Sequence, residues 1–516
     1  MLQSRAIVIK KFAHMKKSYV LISILSFFYG ISQEITPQDA LRYATEDLTG
    51  TARFRAMSGA FGALGGDLSS INVNPAGTAI FNHNMATVTA SSFNTNNKSN
   101  YYGTSRTENN STLDLNQLGA VFVFVDNNET NNWRKISIGL NYENSKNFDN
   151  TNYFFGNSTN SIDQYFLRFA NGIGNEGIFN VDSANDPFES LSFIDQQAWL
   201  GIRSDIIYFD SANNIYDTNV PTNRTYQQSR YSKASGYNGK FTANFATSYK
   251  DKVYLGMNLN FHFTDYVNTY ELTEFNDGLY SNGITVNYIS FNNEQYTFGN
   301  GFSMNFGAIA KITEAFRVGL AYETPTWHRL TDQLNQYVYT ESTQAPDNNS
   351  INKKYTDPNI TIEYAPYKLT TPSKWTVSGA YIFDKKGLFS VDVSRKDYSS
   401  TQFKPVSDYS GINRTLSENL TEAYEIRMGG EYRIKEFSLR AGYRFEQSPY
   451  KVDYTMGDLT GYSGGLGYNF GDSKLDLAYS YSYRNYNQRF ISSGMTDTAR
   501  VRAIQNNITL TYSINF

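Results

Sequence analysis

The chain has 516 residues; 16% are aromatic (41 Tyr, 36 Phe, 4 Trp) but only 18% are charged, against about 25% in an ordinary soluble domain. A mean hydropathy of −0.49 excludes a bundle of membrane helices, the aromatic content excludes intrinsic disorder, and 11 Pro with 37 Gly exclude collagen-like and Pro-rich chains. With no cysteine there is no disulfide framework, thiol nucleophile or Cys-ligated metal.

Residues 1–32 carry Arg5, Lys10, Lys11, Lys16 and Lys17 and no acid, then an apolar run from Tyr19 to Tyr29 and the exit Gly30-Ile31-Ser32. Basic start, short apolar middle and small-residue exit predict a signal peptide, and the run is shorter than the roughly 20 residues of a spanning helix. Met15-Lys16-Lys17 is itself a suitable start for such a signal. Without 1–32 the chain keeps 40 basic against 48 acidic residues, a net charge of −8, which speaks against nucleic acid as a partner.

The next segment, 33–84, opens on Thr36-Pro37-Gln38-Asp39, a helix start with a capping hydroxyl, Pro at the first position and an early acid. Small residues then dominate from Gly50 to Gly77, interrupted by Phe54, Met57, Phe61 and Leu64, which are too apolar for a tether. It ends on Asn74-Pro75-Ala76-Gly77. Pro75 fixes its own φ and extends Asn74, Gly77 can take angles closed to other residues, and Asn74 can bond backbone, so a stiff corner is expected.

From 85 to 516 apolar residues fall on alternate positions for eight to thirteen residues at a time. The last strand puts Ile508, Leu510, Tyr512, Ile514 and Phe516 on one face and Asn507, Thr509, Thr511, Ser513 and Asn515 on the other. Such strands have one oily and one wet face. Aromatic ends on the oily faces, charges such as Glu425, Arg427, Glu431 and Arg433 on the wet faces, and tight connections (250–252, 311–315) alternating with long ones (144–236, 399–420) favour a transmembrane β-barrel over a soluble sandwich. Fourteen strands are expected: 85–95, 118–126, 135–143, 237–250, 253–266, 297–312, 315–324, 359–384 with a bend at Pro372, 387–398, 421–434, 436–446, 461–471, 473–486 and 504–516. The aromatic end of the last strand resembles the signal read by bacterial barrel-assembly machinery, an expected partner in biogenesis. Segment 33–84 would then sit inside the lumen. Loop 144–236 is unusually apolar, with Phe166, Phe169, Phe193 and Trp199 prominent, and 163–170 and 188–207 could be amphipathic helices; an exposed apolar cleft here would capture ligand.

These residues resemble the FadL/TodX-type outer-membrane transporters of long-chain fatty acids and other hydrophobic compounds. The resemblance is carried by Gly59-Ala60-Phe61, Asn74-Pro75-Ala76-Gly77, the run Phe316 to Pro325, Pro372-Ser373-Lys374-Trp375, and Leu439-Arg440-Ala441-Gly442-Tyr443 followed by Ser448-Pro449. Gly65-Gly66-Asp67 departs from the more acidic pair common in that family. The resemblance implies an all-β, fourteen-stranded transmembrane antiparallel barrel in the bacterial outer membrane, with 33–84 as an N-terminal hatch. It implies passive, hatch-gated uptake of hydrophobic molecules, with Phe54, Met57, Phe61 and Leu64 presenting an oily hatch surface to ligand. It also implies sideways release into the outer-membrane lipid at a kinked third strand, 135–143, whose weak point is Gly139.

No enzyme is expected: His83, His262 and His328 are far apart in sequence, there is no metal-binding spacing, phosphate loop or dinucleotide fingerprint, and no cofactor is implied. His262 and Thr264 fall on a wet face, as a satisfied lumen pair. A general diffusion porin predicts an open polar lumen without an oily hatch; a surface adhesin would use long Tyr/Asn-rich loops without specific transport.

Overall fold

Fourteen strands with one oily and one wet face have no free edge only if the sheet closes on itself, and here it does. The computed structural model describes residues 35–516 apart from 127, 129, 173–187, 348, 349 and 385, so the expected signal peptide lies outside the described residues. The barrel strands are β1 (Met85–Tyr101), β2 (Thr104–Val125), β3 (Trp133–Asn147), β4 (Tyr226–Tyr249), β5 (Val253–Phe275), β6 (Ile284–Lys311) and β7 (Phe316–Glu323). They continue as β8 (Lys374–Phe383), β9 (Gly387–Asp397), β10 (Glu422–Ile434), β11 (Phe437–Glu446), β12 (Met456–Asn469), β13 (Ser473–Arg489) and β14 (Thr498–Asn515). Each pairs antiparallel with the next, and β14 returns to β1 from Asn515↔Met85 to Arg500↔Asn100. The expected fold class and strand number hold.

Side-chain direction follows the alternation. Leu140, Leu255, Leu320, Val377, Leu439, Leu477 and Leu510 are exposed on the outside, a band that only a bilayer covers at no cost. Exposed aromatics border it: Trp133, Phe316, Tyr381 and Phe437 towards the rim of tight turns, Trp327, Trp375, Tyr424 and Tyr462 towards the other. The inner face is polar.

Several strands outgrow the expected boundaries, β4 starting at Tyr226 and β6 at Ile284, and an unexpected strand, Trp327–Gln344, pairs along β6. β1 and β2 run on beyond the expected ends to a tight turn at Tyr102-Gly103, because the ladder needs only backbone and not a continuous oily face. The expected strand 359–384 is broken at Pro372: Tyr367–Thr370 pairs with Trp327–Leu330, and β8 starts at Lys374. Proline cannot donate to a ladder, so the bend becomes a break. Finally, β3 gives way after Asn147 to a separate strand, Asn150–Ser158, still paired to β4.

Candidate functional site

Residues 35–84 thread the lumen. Helix α1 (Pro37–Ala44) starts as expected, with the Asp39 carboxylate accepting from Thr36 N at 2.8 Å and Thr36 Oγ1 at 2.7 Å. Its Ala40, Leu41, Tyr43 and Ala44 pack against Phe148, Tyr266, Leu330 and Leu369, high in the barrel, and the Arg42 guanidinium lies 3.9 Å over the Tyr266 ring. A short helix α2 (Ala52–Ala56) and 3₁₀ turns at Leu68–Asn72 and Pro75–Ile80 follow lower down.

Small residues on the wall let this segment lie backbone against strand. A Cβ on Gly442 would stand 2.5 Å from Met57 C, on Gly319 2.2 Å from Gly62 O, and on Gly256 2.4 Å from Pro75 C. The segment's polar backbone is met by wall side chains: Asp392 accepts from Gly62 N at 3.0 Å, Asn244 donates to Pro75 O at 2.9 Å, and Asn258 donates to Ile71 O at 2.8 Å. A buried irregular segment must have its donors and acceptors paired this way. Its small-residue composition predicted close packing; which wall glycines receive it follows only from the register of seven or more strands.

Phe54, Met57, Phe61 and Leu64 come together with Ala63, Val73, Ala380 and Leu388 in one buried cluster. They face the wall rather than an open lumen, and Phe54 also borders a polar cavity of about 80 Å³ that touches Glu143, Lys146, His262 and His328. The corner at Asn74-Pro75-Ala76-Gly77 is observed: Asn74 is extended and caps the following turn, accepting from Ala76 N at 3.1 Å, while its Nδ2 donates to Gly62 O at 2.7 Å and to Ala308 O of β6 at 3.0 Å. Gly77, however, does not use the left-handed region; it is small because a Cβ would lie 2.4 Å from Ser70 Oγ.

Charged groups tie the segment to one side of the wall. Arg53 Nε bonds Glu431 at 2.8 Å, and Glu431 also holds Arg440 at 2.7 Å, which reaches Asp476 at 2.6 Å. Glu46 joins Lys374 at 2.6 Å and Lys396 at 2.8 Å; burial alone would raise its carboxyl, but these two ammonium groups hold it well below the carboxylate range. Burial pushes the Arg55 guanidinium down to about 10, and its partners are the hydroxyls of Ser91 and Ser480. Buried pairs of this kind add little net stability when intact, but removing one partner costs about 3–5 kcal/mol, so they specify one position for the segment.

The wall opens at one place. β2 pairs with β3 from Val125↔Lys135 to Gln117↔Glu143 and no further, although β2 continues to Thr104. Above that pair β3 stays with β4, and its continuation crosses behind β1, where Asn97 donates to Thr151 O at 2.7 Å. The opening is bridged only by side chains, Asn144 to Asp114 and Asn147 to Thr112 at 3.4 Å. The bend occurs at Phe148, whose N–H donates to Gly236 O at 2.9 Å; Gly236 has φ +110° and a Cβ there would stand 2.2 Å from Asp265 O. Gly139, the expected weak point, is paired on both sides, to Val121 and Asn244, so the interruption does not fall on it. It lies beside Asn244 of β4, where a Cβ would stand 3.2 Å from Asn244 Cβ, and in ordinary contact distance of Thr78 of the lumen segment.

Both lips of the opening are bonded to the lumen segment. Gln117 donates to Ser69 Oγ at 2.9 Å; Glu143 accepts from Asn72 at 2.7 Å and from Thr49; Lys146 donates to Arg42 O at 2.9 Å and Thr45 Oγ1 at 2.6 Å, capping the end of α1. Nothing in the sequence singles these residues out. Their only signal was polar residues on the wet faces of β2 and β3, which many strands share.

Above the barrel, helix α3 (Asp163–Ala170) forms over the expected residues, and α4 (Phe193–Arg203) covers the middle of the expected 188–207, capped at its start by Ser192. Gly201 lets them meet: a Cβ there would be 2.6 Å from Phe166 Cβ. Phe166, Phe169 and Phe193 are buried in one core with Leu272, Ile289, Phe291 and Val338, and Trp199 packs half-buried at its edge. These side chains therefore form a core of their own, a cap over the barrel, and not the expected exposed cleft, since they satisfy one another better than they would water. His262 and His328, 66 positions apart, are neighbours with ring centroids 5.7 Å apart, because β5 and Trp327–Gln344 both flank Gly301 of β6. His262 Nε2 bonds Ser303 Oγ at 3.0 Å. Among the described residues no three His, Asp or Glu are grouped as a metal site.

The closed fourteen-strand wall, its oily outer belt and its filled polar lumen define a membrane-spanning barrel with an internal segment lodged against its wall. The sequence profile described as outer membrane protein transport protein (OMPP1/FadL/TodX) matches residues 215–515, more than half of the chain, and the chain belongs to that family. It is a bacterial outer-membrane protein of a family of transport channels. The hatch motif lies outside the matched residues. Among solved structures, a Pseudomonas aeruginosa FadL homologue is similar at 12% identity over 92% of this chain and 99% of its own, with a TM-score of 0.50. The Pseudomonas putida toluene transporter TodX is similar at 14% identity over 92% and 100%, with a TM-score of 0.49. The Ralstonia pickettii toluene transporter TbuX is similar at 14% over 91% and 99%, with a TM-score of 0.47. At these identities the likeness is one of fold. No protein of curated function matches the chain.

Proposed function

We propose that this protein takes up hydrophobic molecules, such as long-chain fatty acids or aromatic hydrocarbons, through a hatch-gated path that leaves the barrel sideways between β2 and β3. The observation that carries this reading is the end of the β2–β3 ladder at Gln117↔Glu143, with both lips bonded to residues of the hatch. While the hatch is seated, Ser69, Asn72 and Thr49 hold the lips and Lys146 holds α1. When it shifts, the same groups lose their partners and the opening is free to widen towards the bilayer, where Leu113 and Leu115 are 82% and 62% exposed. A hydrophobic molecule released there avoids both water and the polar surface layer. Phe166, Phe169, Phe193 and Trp199 take part in capture when the cap parts, and Phe54, Met57, Phe61 and Leu64 offer the apolar surface of the displaced hatch. A general diffusion porin has less support, because the lumen holds side chains and hatch where a porin holds water.

The cysteine-free chain allows a direct test. Asp114→Cys with Asn144→Cys, oxidised, should cross-link the lips and lower uptake of a labelled long-chain fatty acid several-fold, and reduction should restore it. Unchanged uptake in fully cross-linked protein would remove lateral release.

A further inference from the structure

The bilayer-facing surface carries a groove close to the rim of tight turns, which in outer-membrane barrels faces the periplasm. Across β2, β3, β4 and β5 the outward residues form two rows: Phe122, Ile138, Phe245 and Met257 above, Phe124, Ile136, Thr247 and Leu255 below. Thr247 is the one short side chain of the eight, and its hydroxyl donates to Lys135 O at 2.8 Å, so the dip it leaves has no free donor. Just beneath, the β3–β4 ladder slips between Trp133 and Lys135, and Trp133 turns edge-on to Tyr249 with ring centroids 5.1 Å apart. The result is an apolar groove of about 850 Å³ lined by Phe124, Trp133, Ile136, Phe245, Leu255 and Met257.

Both charge signs collect at its lower end. The β4–β5 turn presents Lys250, Asp251 and Lys252 to solvent, and the neighbouring turn presents Asp126 and half-buried Arg134. The Asp126 carboxyl is held below its ordinary range by the Asn128 N–H and the Asn131 amide. Lys250 lies 5.5 Å over the Tyr249 ring, Arg134 donates to Asn128 O at 3.1 Å, and Asp251 accepts from Ser248 at 3.1 Å.

We propose that this groove is a binding site for a zwitterionic phospholipid of the inner leaflet. One acyl chain lies over Thr247 between Ile136 and Leu255, the phosphate meets Lys250 and Lys252, and the headgroup ammonium meets Asp126. Hydrophobicity cannot select this lipid, because its chains are in hydrocarbon with or without the protein. Selection comes from the fit of a chain into a dip in an otherwise convex wall, and from paired charges of both signs at headgroup depth. The inference does not depend on the transport reading.

Native mass spectrometry of the full protein, with added palmitoyl-oleoyl phosphatidylethanolamine or phosphatidylglycerol, tests it. The unaltered protein should retain one phosphatidylethanolamine at collision energies that strip other lipids, and retain phosphatidylglycerol less. Thr247→Phe fills the dip from the bilayer side and should lower retention at least fivefold; Lys250→Gln with Lys252→Gln should lower it while leaving the groove intact. Heat-modifiable gel migration checks the barrel, and Thr247→Leu replaces the Phe variant if that check fails. Equal retention in the Thr247 variant and the unaltered protein would overturn the groove as the site. Equal retention of the two lipids would overturn the headgroup assignment.

Discussion

Replacing Asn74 by Ala tests whether the hatch is held by the corner at its end. The side chain is fully buried and makes three close bonds, donating to Gly62 O and Ala308 O and accepting from Ala76 N. Ala308 sits in a strand paired on both sides, so its loss is the least damaging; Gly62 O and Ala76 N belong to the hatch and are left without this partner. At about 1–3 kcal/mol for each buried group left unsatisfied, the hatch loses about 2–6 kcal/mol of local stability. With tenfold for each 1.4 kcal/mol, opening of the hatch should become about 30-fold more frequent or more. The barrel ladder contains no Asn74 bond, so the variant should remain heat-modifiable on a gel. Hydrogen exchange of the amides from Phe54 to Ile80, read by mass spectrometry, should accelerate by that factor, and single-channel conductance should rise as the hatch loosens. Asn74→Asp, which keeps the acceptor for Ala76 N but loses both donors, should lie between. Exchange within about threefold of the unaltered protein would refute the argument that these bonds seat the hatch. Loss of the folded barrel would instead assign the corner to assembly.

Two further outcomes follow from the same structure. Gly442→Val should unseat the hatch, since its Cβ would fall 2.5 Å from Met57 C and 2.6 Å from Ser58 N, with the Ser463 hydroxyl of β12, 2.7 Å away, having to turn aside; a rise in conductance with normal gel migration is expected, and normal conductance would show that the hatch is not held at this strand. Glu274, at the end of β5 in the cap and far from the tight-turn rim, accepts from Ser161, Ile162 N and Gln228, and burial pushes its carboxyl up to about 7 against those bonds. Its folded value is raised, so its contribution is fully present below the ordinary carboxylate value of about 4.3 and is lost as pH rises through about 7. Exchange in α3, corrected for intrinsic rate, should therefore be faster at pH 8 than at pH 5.5, and Glu274→Gln should flatten the difference; a steep dependence in that variant would assign it to another group.

Local rules read from the chain determine much of this protein. Alternation with period two marks which residues of each strand meet lipid, because a pleated strand must send neighbours to opposite faces. Thr36, Pro37 and Asp39 mark the start of α1, and the apolar spacing of 163–170 marks α3 to the residue, because caps and helical faces are set by near neighbours. The family resemblance, too, was legible in short motifs. What local rules cannot carry is which distant groups meet. Segment 96–112 has no alternating oily face to reveal it as strand, so the tall β1–β2 hairpin appears only when its ladder does. Glu143, Gln117 and Lys146 are ordinary wet-face residues until the hatch is placed against them. Gly236 and Gly139 look alike in sequence; strand register alone puts one at the bend and the other beside the hatch. The wall glycines, the Arg53–Glu431 pair and the His262–His328 contact likewise join residues tens to hundreds of positions apart. Their meeting depends on closing the sheet around the hatch, a step in which strand register and hatch packing are decided together.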